Sequence, residues 1–321
     1  MIRIEYLSRM KFPLKPFRLI ILFMLFLHSG DAHGQYRVLE ESEVARLTEL
    51  PHQLPEISGI ILTPYNTAIG HNDRGGEARL YEFDIKTGYK IRTIEIENAK
   101  NKDWEDITSD SKYIYIGDFG NNRGRRKKLK IYRIKWPEKG SERIPIEAEK
   151  IRFTYADQTD FEKRKKHNYD CEAVICFGDS LYLFTKNRAD GFTNVCALPK
   201  IPGEYVATVT QTFDTDGLVT GADIYHYGKH KILSLIGYNK AHKTYMPFIW
   251  TFTKFDNTSF FSGDATRVDL PMYIQAEGIA FLNAKKIYFT NEEGKDISSG
   301  IYLYKLTAGN YTQFRKMIFM K

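Results

Sequence analysis

The sequence predicts an all-β protein, a β-propeller of five blades. One motif recurs five times: an acidic residue opens a short apolar strand, and a second strand then ends in Gly, Asp or Asn. The spacing between copies is about 50 residues, and four strands in that length are typical of a propeller blade. Aromatic residues make up 14% of the chain, mostly Tyr and Phe at alternating positions, as expected of strands.

The motifs account for the two inner strands of each blade. Their acidic residues are Glu56, Glu105, Glu172, Asp223 and Glu277. Their second strands end at Asn72 and Asp73, Asp118, Asn187, Asn239 and Asn291. Two outer strands follow each of the first four motifs, at 79–86 and 89–97, 129–136 and 147–155, 193–199 and 204–213, and 247–255 and 266–270.

The two ends of the chain support a closed ring. After Asn291 the sequence predicts only one further strand, 300–306, so the last blade lacks its outer strand. The segment 36–50 precedes the first motif and has no partner of its own. If it supplies the missing strand, no sheet edge stays open. The polar, basic run 156–168 is interpreted as a surface insertion, and six blades are the alternative if it hides strands.

Residues 1–34 have the pattern of a secretory signal peptide. Five basic residues precede the apolar run 19–27, and the small-residue site Ala32-His33-Gly34 follows. The run is short for a bilayer span, although an uncleaved anchor is the alternative. We therefore expect a single propeller domain over 35–321, secreted or periplasmic, with no membrane span after cleavage.

Charge and cysteine content exclude two classes of protein. The chain carries a net charge of +7, but no stretch combines a basic face with a nucleic-acid motif, so nucleic acid is not an expected partner. Three cysteines, Cys171, Cys176 and Cys196, are too few for a disulfide scaffold. We expect them to be small buried residues.

The inner strands predict a metal site. In a propeller the first strand lines the central channel, so the start of strand one and the end of strand two meet at one mouth. Carboxylates gathered there need compensation, and oxygen ligands from several loops favour Ca²⁺ over Mg²⁺. The alternative is that these groups only cap backbone N–H groups. The predicted ligands are Ser58, Glu105, Glu172, Asp223 and Glu277.

Cations follow the second strand in several blades, on the same predicted face. Arg74, Arg123, Lys186 and Arg188 would surround the metal and bind an anion such as phosphate. This pattern favours metal-assisted hydrolysis of an anionic ester, with Asp118 or Asp73 activating a water. A pI of about 9.0 also makes basic loops ordinary.

Two other functions fit the same residues. A propeller glycosidase would use Asp73 and Asp118 as its carboxylate pair. A non-catalytic module would hold a glycan or a protein partner on the same face, because the fold does not decide the function. The expected partner is thus a small anionic substrate or a glycan.

Several motifs resemble those of exported bacterial propeller proteins of undefined function, over the whole mature chain. They are Glu56-Ile57-Ser58-Gly59, Asp103-Trp104-Glu105-Asp106-Ile107, Gly117-Asp118-Phe119-Gly120-Asn121-Asn122, Tyr169-Asp170-Cys171-Glu172-Ala173 and Glu277-Gly278-Ile279-Ala280.

A more distant likeness concerns the metal. The order Ser58, Glu105, Glu172, Glu277 is similar to that of soluble calcium-dependent apyrase, the calcium-activated nucleotidase family. That resemblance implies one Ca²⁺ in the channel and hydrolysis of nucleoside diphosphates. The Glu277-Gly278 pair is also similar to a motif of metal-dependent lactonase propellers. The chain lacks much of the sequence that flanks these positions in apyrases, so the resemblance supports the ion more than the reaction.

Overall fold

A computed structural model describes residues 35–38, 43–138, 140–241 and 244–306. Its regular elements are strands, and they form five sheets arranged as the blades of a propeller, which confirms the predicted fold. The predicted signal segment, residues 1–34, lies outside the described residues. The part of the chain that is described contains no helix long and apolar enough to cross a membrane.

Blades 1 to 3 follow the predicted order from the channel outward. Blade 1 contains β3 (Ile57–Leu62), β4 (Thr67–Asn72), β5 (Arg79–Asp84) and β6 (Lys90–Ile96). Blade 2 contains β7 (Trp104–Ser109), β8 (Tyr113–Asp118), β9 (Leu129–Lys135) and β11 (Glu149–Tyr155). Blade 3 contains β12 (Cys171–Phe177), β13 (Ser180–Thr185), β14 (Phe192–Pro199) and β16 (Val209–Asp214).

Blades 4 and 5 complete the ring. Blade 4 contains β17 (Leu218–Tyr227), β18 (His230–Ala241), β19 (Thr244–Thr253) and β20 (Asp264–Asp269). Blade 5 contains β21 (Ala276–Asn283), β22 (Lys286–Asn291) and β23 (Gly300–Lys305), with β2 (Val44–Glu49) as its outer strand.

Strand β2 closes the ring as predicted. It pairs antiparallel with β23, with Val44 opposite Tyr304 and Glu49 opposite Gly300. The innermost strands β3, β7, β12, β17 and β21 contact one another in that order, and β21 contacts β3 again. The last blade is therefore joined to the first, and the N-terminal strand covers an edge that would otherwise be open.

Three blades carry a fifth, parallel strand at their outer edge. These are β10 (Arg143–Ile146) on β6, β15 (Gly203–Ala207) on β11, and β1 (Gln35–Val38) on β20. The predicted strand 204–213 is thus two strands: β15 extends blade 2, and β16 belongs to blade 3. Residue alternation alone does not reveal which edge a strand joins. The insertion 156–168 contains no strand and adds no sixth blade.

The hydrophobic core lies between the blades. Large aromatic side chains, including Trp104, Trp250 and Phe252, are fully buried. Cys171 and Cys196 are buried, Cys176 is half-buried, and all three are free thiols. The channel-lining strands are therefore held by apolar packing on their outer side, and their starting residues remain available at the channel mouth.

Candidate functional site

Every innermost strand carries a β-bulge close to its start. The strand-pairing register shifts at the second or third residue of β3, β7, β12, β17 and β21. A bulge leaves a residue outside the ladder and re-aims its side chain. The residues at the five bulges are Ser58, Glu105, Glu172, Thr220 and Glu277, and all are buried. We call this set the bulge ring.

The bulge ring contains four of the five predicted metal ligands. Asp223 is not among them, because β17 begins at Leu218 and places Thr220 at the bulge. Asp223 lies deeper in the channel, where its carboxylate accepts N–H groups from Ile224 at 2.8 Å and Phe281 at 2.7 Å. It therefore acts as a backbone cap between blades 4 and 5. The Ser58 hydroxyl also has a partner in the protein, because it donates a hydrogen bond to the carbonyl of Glu105 at 2.5 Å.

Three carboxylates meet on one side of the mouth. Ligand oxygens of Asp73, Asp103 and Glu105 all lie within 4.8 Å of one another. Asp73 follows β4 and Asp103 precedes β7, and Asn101 joins these two chain segments. Its amide donates to the carbonyl of Asp73 at 2.6 Å, and its side-chain oxygen accepts the N–H of Trp104 at 3.1 Å. We call Asp73, Asp103 and Glu105 the acidic triad.

Two oxygens of the acidic triad lack hydrogen-bond partners. Asp103 Oδ1 and Glu105 Oε1 are buried, and neither bonds to any described residue. Gly120 leaves the space that they use: a Cβ there would overlap the carboxylate of Glu105 and lie 2.8 Å from Asp103 Cγ. Unpaired buried acceptors are costly in a folded protein, so this pocket is suited to a group that supplies positive charge.

The pKa values of the triad are raised together. Burial raises the pKa of Glu105 well above its ordinary value, and the charges of Glu172 and Asp73 add to the effect. Burial and the neighbouring Asp73 raise the pKa of Asp103 to about 6. Burial also raises the pKa of Asp73. Burial and mutual repulsion therefore disfavour the charged forms of these groups, and a bound cation would favour them.

Glu172 lies in a different environment. Lys186 Nζ is 3.0 Å from its Oε2, and the Arg188 guanidinium is 3.4 Å from its Oε1. Arg188 also binds Asp170, with Nε 2.7 Å from Oδ2. Burial disfavours the ammonium of Lys186, but the charges of Glu172 and Glu277 raise its pKa well above the ordinary value. Lys186 is therefore a buried counter-charge to these two acids, and not an exposed cation at the channel mouth.

A second acidic pair lies at the start of blade 5. The Gln275 amide donates to Glu277 Oε1 at 2.9 Å and to Glu292 Oε2 at 2.6 Å. Burial, with Asp73 as the first of the nearby charges, raises the pKa of Glu292 to about 7. Burial raises the pKa of Glu277 well above its ordinary value, although Lys186 opposes this. Glu292 follows β22 as Asp73 follows β4.

The remaining predicted site residues are divided between an ion-pair network and the surface. Asp118 is fully buried, with Arg126 NH2 at 2.7 Å and Lys130 Nζ at 3.3 Å from its carboxylate oxygens. Both oxygens of Asp118 are therefore engaged by cations. Arg74 and Arg123 are exposed in the loops that follow β4 and β8, on the face of the mouth.

Asp103 and Glu292 were not predicted as site residues, although the sequence contains a signal for each. The pattern Asp-x-Glu occurs at both Asp103–Glu105 and Asp170–Glu172. In each copy the Glu is the bulge residue, and an Asp stands two residues before it. Glu292 directly follows the Asn that ends a second strand, as Asp73 does. What the sequence does not reveal is which acids face protein cations and which do not.

No family model matches the chain, and no curated protein matches it. Among solved structures it is similar to an exo-1,5-α-L-arabinanase from a bovine ruminal metagenomic library, with a TM-score of 0.48, 11% identity and coverage of 82% of this chain and 97% of that one. It is also similar to the PQQ-bound aldose sugar dehydrogenase of Streptomyces coelicolor, with a TM-score of 0.46, 11% identity and coverage of 82% and 98%. These likenesses concern the propeller fold alone.

Proposed function

We propose that the acidic triad binds a divalent cation, and that this cation is Ca²⁺. The supporting observation is a pair of buried oxygens, on Asp103 and Glu105, that have no hydrogen-bond partner among the described residues and lie beside the third carboxylate of Asp73. All three residues offer hard oxygen ligands, with no Cys or His among them, which is the donor set that Ca²⁺ prefers. The ion would offset the burial and the mutual repulsion that raise the pKa values of these acids.

This assignment revises the expected ligand set. Glu105 remains, Asp73 becomes a ligand and Asp103 joins them. Glu172 is compensated by Lys186 and Arg188, so a cation bound there would have to displace two protein charges. Ser58 and Asp223 already have hydrogen-bond partners in the backbone. Glu277 shares its amide donor with Glu292 and borders the site from blade 5.

We infer that the channel mouth hydrolyses an anionic ester, with a phosphate ester as the first candidate. When bound, a divalent cation polarises an ester oxygen and lowers the pKa of a bound water. Arg74 and Arg123, exposed on the same face, would attract and orient the anionic group. Glu292 is the proposed proton acceptor, because the Gln275 amide holds its carboxylate in place beside the acidic triad.

Thermal melting tests the cation site. At a Ca²⁺ concentration of 100 Kd, binding to the folded state alone adds about 2.7 kcal/mol of stability, which raises the Tm of a chain of this size by roughly 5 °C or more. The variant Asp103→Asn/Glu105→Gln should lose this increase. The matched control is Glu147→Gln/Glu204→Gln, which removes two exposed carboxylates from outer strands or their turns. An equal Ca²⁺ effect in both variants would refute the site.

A substrate panel separates an enzyme from a binding module. Phosphate esters, sulfate esters and glycosides are each incubated with the protein in Ca²⁺ and in chelator. Release that requires Ca²⁺ and is lost in Glu292→Gln supports the hydrolase. Retention of a glycan without turnover supports the binding module, and Ca²⁺-independent cleavage of a glycoside supports the glycosidase.

We also propose export of the protein, on the basis of its signal-like N-terminus.

A further inference from the structure

Two loops beside the channel mouth hold most of the excess positive charge of the chain. Residues 121–128, after β8, and 156–168, before β12, together contain nine Lys and Arg residues and three acids, a net charge of +6 against +7 for the whole chain. We call these two loops the basic lobe. Its exposed cations are Arg123, Arg125, Lys127, Lys128, Lys163, Arg164, Lys165 and Lys166.

The two loops pack against each other and form one surface. The N–H of Arg164 donates to the carbonyl of Arg123 at 3.0 Å, and the Gln158 amide donates to the carbonyl of Gly124 at 2.8 Å. Lys127 Nζ lies 5.2 Å above the ring of Phe161. Cations from distant parts of the sequence are therefore held side by side.

Few of the cations of the basic lobe form salt bridges with described residues of the protein. Among the described residues of the lobe, Arg126 pairs with Asp118 and Arg164 pairs with Asp160. The other seven cations form no salt bridge with a described residue. Such a concentration of like charge on one surface attracts anions and raises their association rate.

The basic lobe is continuous with the candidate site. The N–H of Asn121 donates to Asp170 Oδ1 at 2.6 Å, and Arg188 donates to Asn122 Oδ1. Gly120, directly before the lobe, faces Glu105 and Asp103. A chain molecule that lies along the lobe would therefore reach the acidic triad with one of its units.

We propose that the basic lobe binds an acidic polysaccharide, one that carries repeated sulfate, phosphate or carboxylate groups. Lys- and Arg-rich segments of five to eight residues are typical of surfaces that bind polyanions, acidic polysaccharides among them. This inference rests on the proposed function and names its substrate class: the lobe holds the polymer, and the mouth receives an esterified unit.

Single-stranded nucleic acid fits the basic lobe less well. Proteins that bind single-stranded nucleic acid stack its bases on accessible aromatic rings, whereas the described aromatic side chains of the lobe are Phe161, which is half-buried beneath Lys127, and His167, which is buried. An anionic membrane is distinguished from a polysaccharide by experiment, with anionic lipid vesicles as the competing ligand.

Binding of dextran sulfate and polygalacturonate, with neutral dextran as the reference, tests this inference. In Lys163→Ala/Lys165→Ala/Lys166→Ala the Kd for the preferred polyanion should rise roughly tenfold or more at low salt, since three contacts that displace counter-ions are lost. The matched control is Lys229→Ala/Lys285→Ala/Lys286→Ala, which removes three exposed charges from the turns after β17 and β21, at the opposite end of the channel. Its Kd should be that of the native protein.

Three results would overturn the inference: equal affinities of the two triple variants, no preference for either polyanion over neutral dextran, or binding to anionic lipid vesicles without binding to the polysaccharides. The variant Asp103→Asn separates this inference from the proposed function. It should lose the Ca²⁺ effect on melting and keep polyanion binding. If the native protein shows the Ca²⁺ effect but binds no polysaccharide, the lobe inference fails alone.

Discussion

Replacing Gly120 by Ala should displace carboxylates of the acidic triad and leave the rest of the fold unchanged. The new Cβ would overlap the Glu105 carboxylate and lie 2.7 Å from its Cδ and 2.8 Å from Asp103 Cγ. Inserting a methyl group into a filled, buried site costs about 1–3 kcal/mol. Because Glu105 has to turn away to make room, we also expect the affinity for Ca²⁺ to fall roughly tenfold, the equivalent of about 1.4 kcal/mol.

Gly76→Ala is the matched control for this substitution. A Cβ at Gly76 would meet no atom closer than 4.0 Å. At a site without strain, Gly→Ala is neutral or stabilises by about 0.4–1 kcal/mol, because it restricts the unfolded chain. The free energy of unfolding is measured by urea denaturation with chelator, and the Ca²⁺ affinity by calorimetry.

A double-mutant cycle identifies the cause of the loss. In a Glu105→Ala background most of the cost of Gly120→Ala should disappear, since the carboxylate that the methyl group overlaps is gone. Residues in contact show such non-additivity, whereas independent sites do not. If Gly120→Ala matches Gly76→Ala in stability and affinity, or if its cost is unchanged without Glu105, the proposed geometry is wrong.

Three further predictions concern charge. In chelator, the free energy of unfolding should fall as the pH rises from about 4 to about 7. The pKa values of Asp103 and Glu292 are raised in the folded state, which therefore binds more protons than the unfolded state in that range. Ca²⁺ should flatten this pH dependence in melting curves, and a pH dependence unaffected by Ca²⁺ contradicts the assignment. Lys186→Met should cost about 3–5 kcal/mol in urea denaturation, because it leaves the buried carboxylate of Glu172 without its nearest cation. A loss below about 1 kcal/mol would show that Arg188, or protonation of Glu172, whose pKa burial raises to about 8, replaces the ammonium. Asp118→Asn should lower stability and leave the Ca²⁺ affinity unchanged, because Asp118 pairs with Arg126 and Lys130; unchanged stability with lost turnover would instead support Asp118 as the base.

The fold was predictable because each blade repeats a local pattern. Apolar alternation, turn residues and one acid per inner strand recur at similar spacing, and an incomplete last blade requires a strand from the other end of the chain. The outer strands β10 and β15 were not predictable in the same way. Their residues are compatible with a turn or with a longer strand, and the decision depends on which neighbouring edge is open.

The candidate site was predictable in place but not in composition. The acids near the starts of the inner strands lie at one mouth, as expected for Glu105, Glu172 and Glu277. Asp223 was assigned to that position because blade 4 has no acid at its bulge, where Thr220 stands. The pairing of Lys186 with Glu172 and the isolation of Asp103 and Glu105 depend on side-chain geometry across blades, which no local pattern encodes.

Calorimetric titration of Ca²⁺ into chelator-treated protein tests the central claim most directly, in the native protein, in Asp103→Asn and in the control Glu147→Gln. The structure places in one pocket two buried oxygens that have no hydrogen-bond partner among the residues it describes, so we predict a single site per chain in the native protein and in the control. In Asp103→Asn the affinity should be at least roughly tenfold weaker. Absence of binding in the native protein, or equal affinity in Asp103→Asn, would contradict the account.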